Sequence, residues 1–131
     1  MSREIHHDEV GIIRHDERRG VLELEWLEGT ASASDAAMKA WLAIFAEQVE
    51  KTQAKFLLID LNHFRFRWTP EFDAWWKQTI LPCYARAGVE KFAFLHPVGA
   101  APPGTPSAEP GWPYMSGHFD SRWRVEEWFG A

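Results

Sequence analysis

Cysteine is nearly absent from this chain: among 131 residues there is only Cys83. A lone thiol cannot close an internal disulfide, and without paired cysteines the usual sulfur-rich zinc sites are excluded. Cationic charge is short as well. Fourteen Lys and Arg stand against nineteen Asp and Glu, for a net charge of −5, and nucleic acid binding that neutralises phosphates needs the opposite balance. Long apolar runs are missing, so nothing approaches the roughly 20 residues that cross a bilayer. Residues Met1 to Val10 are polar and charged, unlike a signal or transit peptide. These absences lead to the expectation of a cytoplasmic protein with no membrane span and no nucleic acid partner.

What the chain has is aromatic rings. It carries eight Trp and nine Phe but two Tyr, within a composition that is 46% hydrophobic and 25% charged. That balance is globular, and the length suits one domain over residues 1–131. Rings in such number serve a core, an aromatic pocket or a dimer face.

Residues 1–9 read as a loose N-terminal tail. Gly11–Arg14 and Val21–Leu27 read as strands, joined by the polar hairpin loop Asp16–Gly20. Leu22, Leu24 and Trp26 alternate with Glu23 and Glu25, which predicts one apolar face and one wet face. After a linker, a helix is predicted over Ser34–Thr52, with Met38, Trp41, Leu42, Phe45 and Val49 on one side. The apolar run Phe56–Leu61 predicts a central strand covered on both faces. Thr69-Pro70-Glu71 marks a helix start, and that helix should run to Gly88 with a kink at Pro82. Lys91–His96 reads as a strand. Residues 97–113 hold six of the eight prolines and three glycines, which predicts a long irregular loop. A last strand over Tyr114–Phe119 and a helix capped by Asp120 or Ser121 complete the chain. The expected fold class is α/β, a mixed β-sheet with an N-terminal hairpin and interleaved helices, in the order ββαβαβ-loop-βα.

Phe56-Leu-Leu-Ile-Asp60-Leu, Thr69-Pro-Glu-Phe, and Ile80-Leu-Pro-Cys-Tyr-Ala-Arg-Ala-Gly88-Val-Glu-Lys-Phe-Ala-Phe94 together resemble the STAS/SEC14-like family, small bacterial domains similar to anti-sigma-factor antagonists. Phe119-Asp120-Ser121 and Val125-Glu-Glu-Trp128-Phe resemble the closing strand and helix of that family. The resemblance spans roughly residues 10–131. It implies a mixed sheet with packed helices, commonly a homodimer, and relatives that bind protein partners or, on the SEC14 side, lipids. It also places Thr69 where anti-sigma-factor antagonists carry a phosphorylated serine, although Trp68-Thr69-Pro70-Glu71 replaces their Asp-Ser-Ser-Gly pattern.

No catalytic set, metal site or cofactor motif emerges from the residues. Thr69 reads either as a phosphorylation switch or as a plain helix cap. Arg65 and Arg67 alternate with Phe64, Phe66 and Trp68, a pattern that reads either as a stacking surface for nucleobases or lipid headgroups or as rings turned inward with the arginines in solvent. The histidines lack the spacing of a metal site, although His63, His96 and His118 all fall near strand ends. Cys83 reads as a buried structural thiol, and Asp60 as the cap of a local turn. The expected function is a non-enzymatic STAS-like regulatory domain acting through a protein partner or a homodimer. The alternative is a SEC14-like carrier of a small apolar ligand or lipid, lined by Phe64, Phe66, Trp68, Trp75 and Trp76 under the loop 97–113. An uncharacterised enzyme stands third and requires Asp60, His63 and His96 to meet in one cleft.

Overall fold

A computed structural model describes residues 2–108, 111 and 114–130. Seven strands form one mixed sheet in the order β1-β2-β3-β4-β5-β7-β6. They are β1 (Arg3–His7), β2 (Gly11–Asp16), β3 (Val21–Trp26), β4 (Phe56–Asp60), β5 (Lys91–Leu95), β6 (Ser107–Ala108) and β7 (Met115–Phe119). The helices are α1 (Asp35–Thr52), α2 (Pro70–Thr79), α3 (Leu81–Ala87) and α4 (Arg122–Gly130), with a 3-10 turn at Glu28–Ser32. Strands β3, β4, β5 and β7 run parallel, and the antiparallel pairs lie at the two edges. None of the helices among the described residues is long and apolar enough to cross a membrane.

Two apolar layers follow from strand alternation. Ile13, Leu22, Leu24, Leu57, Ile59 and Phe92 face α1 and α3, where Met38, Phe45, Val49 and Tyr84 complete the main core. Leu58, Ala93 and Leu95 point the other way and are covered by Val125 and Phe129 of α4. The central strand β4 is therefore covered on both faces, as its unbroken apolar run predicts. Glu23 and Glu25 of β3 alternate with the core residues and lie on the α4 side.

Several expected boundaries need correction. The supposed tail contains β1, paired antiparallel with β2. Its register slips between Glu4 and His6. This bulge lets the neighbours Ile5 and His6 both approach the core side, the His6 ring lying tilted 4.6 Å from Trp41. The single kinked helix over 70–87 is two helices divided at Ile80. Pro82 has no N–H to give the ladder, and its ring crowds the preceding turn, so the break falls just ahead of it. The loop 97–113 is not wholly irregular, because Ser107–Ala108 adds an edge strand beside β7. Glu109, Pro110, Trp112 and Pro113 of that stretch lie outside the described residues.

Candidate functional site: an aromatic cleft at the carboxyl edge of the sheet

The cleft is built on the last residues of the parallel strands. Leu24, Ile59, Phe94 and His118 lie in one register row across β3, β4, β5 and β7. Ile59, Phe94 and His118 of this row, with Trp26 at the end of β3 and Phe92 one row deeper, form the floor. Open α/β sheets place ligands at this edge because the connecting segments splay apart there. Leu42 of α1 and Tyr84 of α3 close the inner wall. The roof is Leu61, Phe64 and Trp68 from the segment after β4, with Asp73 and Trp76 from α2. The cleft has a volume of about 260 Å³ and is open to solvent on one side.

The roof is positioned by local hydrogen bonds. Buried Thr30 donates its hydroxyl to the Leu27 carbonyl at 2.8 Å and accepts the Arg65 amide at 2.8 Å. This ties the 3-10 turn to the segment carrying Phe64. The Trp68 indole donates to Asp73 at 2.8 Å, and its ring lies 4.7 Å from Phe72 and 5.4 Å from Trp76. Rings at these tilted separations attract beyond their simple burial.

Of the five aromatic residues expected to form a pocket, Phe64, Trp68 and Trp76 line the cleft. Phe66 and Trp75 stand behind it, packed on Phe72 at 4.9 and 5.4 Å. Arg65 and Arg67 are exposed while Phe64, Phe66 and Trp68 are half-buried, as the alternation predicts. Two features differ from expectation. The walls of the cleft include no described residue of the loop 97–113, so α2 and residues 61–68 form its cover. Cys83 is half-exposed rather than buried, with its sulfur 3.4 Å from both the Thr79 carbonyl and Arg86.

Three polar groups reach the cleft. Partial burial works to raise the Asp73 carboxyl, but the hydrogen bonds from Trp68 and Lys77 and the Lys77 charge outweigh it and hold the group below its ordinary range. Burial pushes the Tyr84 phenol well above its ordinary range. Tyr114 and Cys83 add to that rise, and the Trp76 indole opposes it without making a well-formed hydrogen bond to the Tyr84 oxygen. His118 stacks on Phe94 at 4.9 Å, and its Nδ1 lies 2.8 Å from His96 Nε2. Partial burial, followed by the charge of His118, lowers the His96 imidazole below its ordinary value against the pull of Asp120. Near neutral pH it is therefore held uncharged.

The catalytic trio that an enzyme requires does not assemble. His96 meets His118, whereas exposed His63 lies 3.9 Å from Glu28. Asp60 is on the α4 side of the sheet. Its Oδ1 accepts from the Asn62 backbone and side chain, which is the expected turn cap. Its Oδ2 lies 3.3 Å from Arg122. Glu23 and Glu25 also stand beside Asp60, their carboxylates all within 4.8 Å of one another. Alternation could not reveal this grouping, since it depends on β3 and β4 pairing in register. Arg14 and Arg122 insert among these acids and supply the positive charge a cation would bring.

Thr69 caps α2, its hydroxyl accepting the Phe72 amide at 3.1 Å. Thr69→Ala should lower the unfolding free energy by about 1 kcal/mol and leave dye binding in the cleft within about twofold. Urea denaturation and dye titration test both halves, and a fall well beyond that size would assign Thr69 a larger role than the cap.

No family model matches the chain, and neither a curated protein nor a solved structure matches it.

Proposed function

We propose that this domain is a non-enzymatic binder of a small, ring-bearing apolar molecule, held in the cleft at the carboxyl edge of the sheet. The cleft itself carries the reading. Seven of its twelve lining residues are Phe, Trp or Tyr, so an apolar ring finds partners on nearly every side, whereas the hydroxyls of a sugar or the phosphates of a nucleotide find few. Its volume lies just below the range for small-molecule sites, about 300–1,000 Å³, which favours a compact ligand. Of the polar groups around it, Asp73 is taken up in orienting Trp68, and the Tyr84 phenol stays uncharged. This choice takes the carrier side of the STAS/SEC14-like resemblance over the phosphorylation-switch side, and the cap geometry of Thr69 supports it.

One observation favours a second reading, contact with a protein partner or a second copy of the chain. Trp123 on α4 is 67% exposed and borders a shallow groove with Pro106, Phe119 and Trp128, which is the composition of an interface anchor.

Native mass spectrometry on gently purified protein tests both. The expected result is a reproducible added mass that disappears under denaturing conditions, accompanied by Trp quenching when an apolar dye is added. Bare protein that responds to no member of a broad apolar panel would remove the carrier reading. A dimer peak would support the second reading, and a strict monomer at micromolar concentration would remove its homodimer form.

A further inference from the structure

The core-facing residues change character across the sheet. One register row reads Leu57, Phe92, Ser116 from β4 to β7, and the next reads Ile59, Phe94, His118. The surface passes from aliphatic to aromatic to polar over the width of three strands. A second cavity, of about 280 Å³, continues the first in this direction. It shares Trp76, Phe92, Phe94 and His118 with the cleft and adds Lys77 and Ser116. A ligand lying across the strands therefore has an apolar end under Trp68 and a polar end beside Lys77.

Resting on the apolar-ligand reading, we propose that the occupant is an amphipathic anion, an apolar body filling the aromatic cleft with a single acidic head group placed at Lys77. Lys77 is the only Lys or Arg lining either cavity among the described residues. Its ammonium lies 3.0 Å from Asp73 Oδ2, which occupies one of three donors. The other Asp73 oxygen is taken by Trp68. The Lys77 side chain is well exposed, so it can swing to a head group without crossing the core. His118, the other polar ring at this end, is taken up with His96 and Phe94, so the fixed charge there is that of Lys77. A cationic ligand would meet Lys77 at one end, and at the other apolar rings and an Asp73 whose two oxygens are already taken by Trp68 and Lys77.

Two fluorescent probes with the same body separate the head group from the cleft. N-phenyl-1-naphthylamine is uncharged, and 1-anilinonaphthalene-8-sulfonate adds one sulfonate. The full chain should bind both, with the sulfonate tighter by about fivefold or more at low salt, and this preference should shrink as salt is raised. Lys77→Met should bring the two affinities to within about twofold and leave the uncharged probe unaffected. Asp73→Asn keeps an acceptor for Trp68, releases Lys77, and should widen the preference. Trp76→Ala should weaken both probes together. Circular dichroism checks that each variant is folded. Equal affinity of the native protein for the two probes, or a preference that survives Lys77→Met, would overturn the head-group assignment while leaving the apolar cleft in place. Failure of both probes to bind, or binding indifferent to Trp76→Ala, would overturn the cleft reading and this inference with it.

Discussion

Trp68→Ala should lower the unfolding free energy by about 3 kcal/mol and reduce affinity for an apolar probe by about tenfold or more. Trp68 is half-buried, but it joins two parts of the molecule. Its ring packs on Phe72 and Trp76 of α2, it lies 6.3 Å from Phe64, and its N–H is held by Asp73. Removing it takes away both the roof of the cleft and the link between the 61–68 segment and α2. Trp68→Phe separates these roles. It keeps a ring in the stack and deletes only the indole N–H, so the loss should fall to about 1 kcal/mol. The same variant should let the Asp73 carboxyl titrate higher, because one of the groups that lowers it is gone. The sign follows from linkage. A carboxyl whose folded value is depressed adds stability above its unfolded value, near pH 4, and that stability is lost as pH falls through the folded value. The gap between native protein and Trp68→Phe should accordingly be full at neutral pH and narrow in acid. Urea denaturation at several pH values measures this, and a gap that does not change with pH would remove the ionic part of the account.

Gly29→Ala should be nearly as damaging, about 2–3 kcal/mol, although it adds one methyl group outside the lining of the cleft. A Cβ at Gly29 would overlap the backbone carbonyl of Glu9. Backbone cannot rotate aside as a flexible side chain does, so the 3-10 turn must shift. That turn carries Thr30, whose hydroxyl holds the Arg65 amide, and the displacement should loosen the cleft roof as well as the fold. Gly130→Ala is the matching control. A Cβ there meets nothing within 4 Å, and its effect should stay within about 0.5 kcal/mol. Comparable unfolding midpoints for the two variants would show that the turn yields more readily than its packing implies.

The contrast between these glycines marks the limit of sequence reading. Both are glycine followed by a small residue, and neither sits in a recognisable motif. Only the approach of residue 9 to residue 29 distinguishes them, a contact between segments that the chain order does not relate. The same holds for the cleft. Phe64, Trp68 and Trp76 were legible because they lie in one aromatic stretch around a clear helix start. Trp26, Phe92, Phe94 and His118 belong to three separate strands, and they become neighbours only through register. Their shared parity within each strand is visible in the sequence; their pairing across strands is not. Strand β1 escaped notice for a different reason. Its residues are mostly polar, and it is held by backbone hydrogen bonds at an edge, where side-chain alternation carries little information.

By itself the sequence determined the local quantities: an α/β chain with a mixed sheet, the cap at Thr69, the end of α3 at Gly88, a two-faced central strand and the inward direction of Phe64, Phe66 and Trp68. Each depends on residues within a few positions of one another, where φ preference, hydrogen-bonding chemistry and alternation act directly. Tertiary structure alone decided the seven-strand order, the break at Ile80 in place of a kink, the grouping of Asp60 with Glu23 and Arg122, and the gradient from Ile59 through Phe94 to His118. Those depend on which distant segments pair and in what register. Pairing is selected by the packing of the whole core, and no short stretch of chain encodes it.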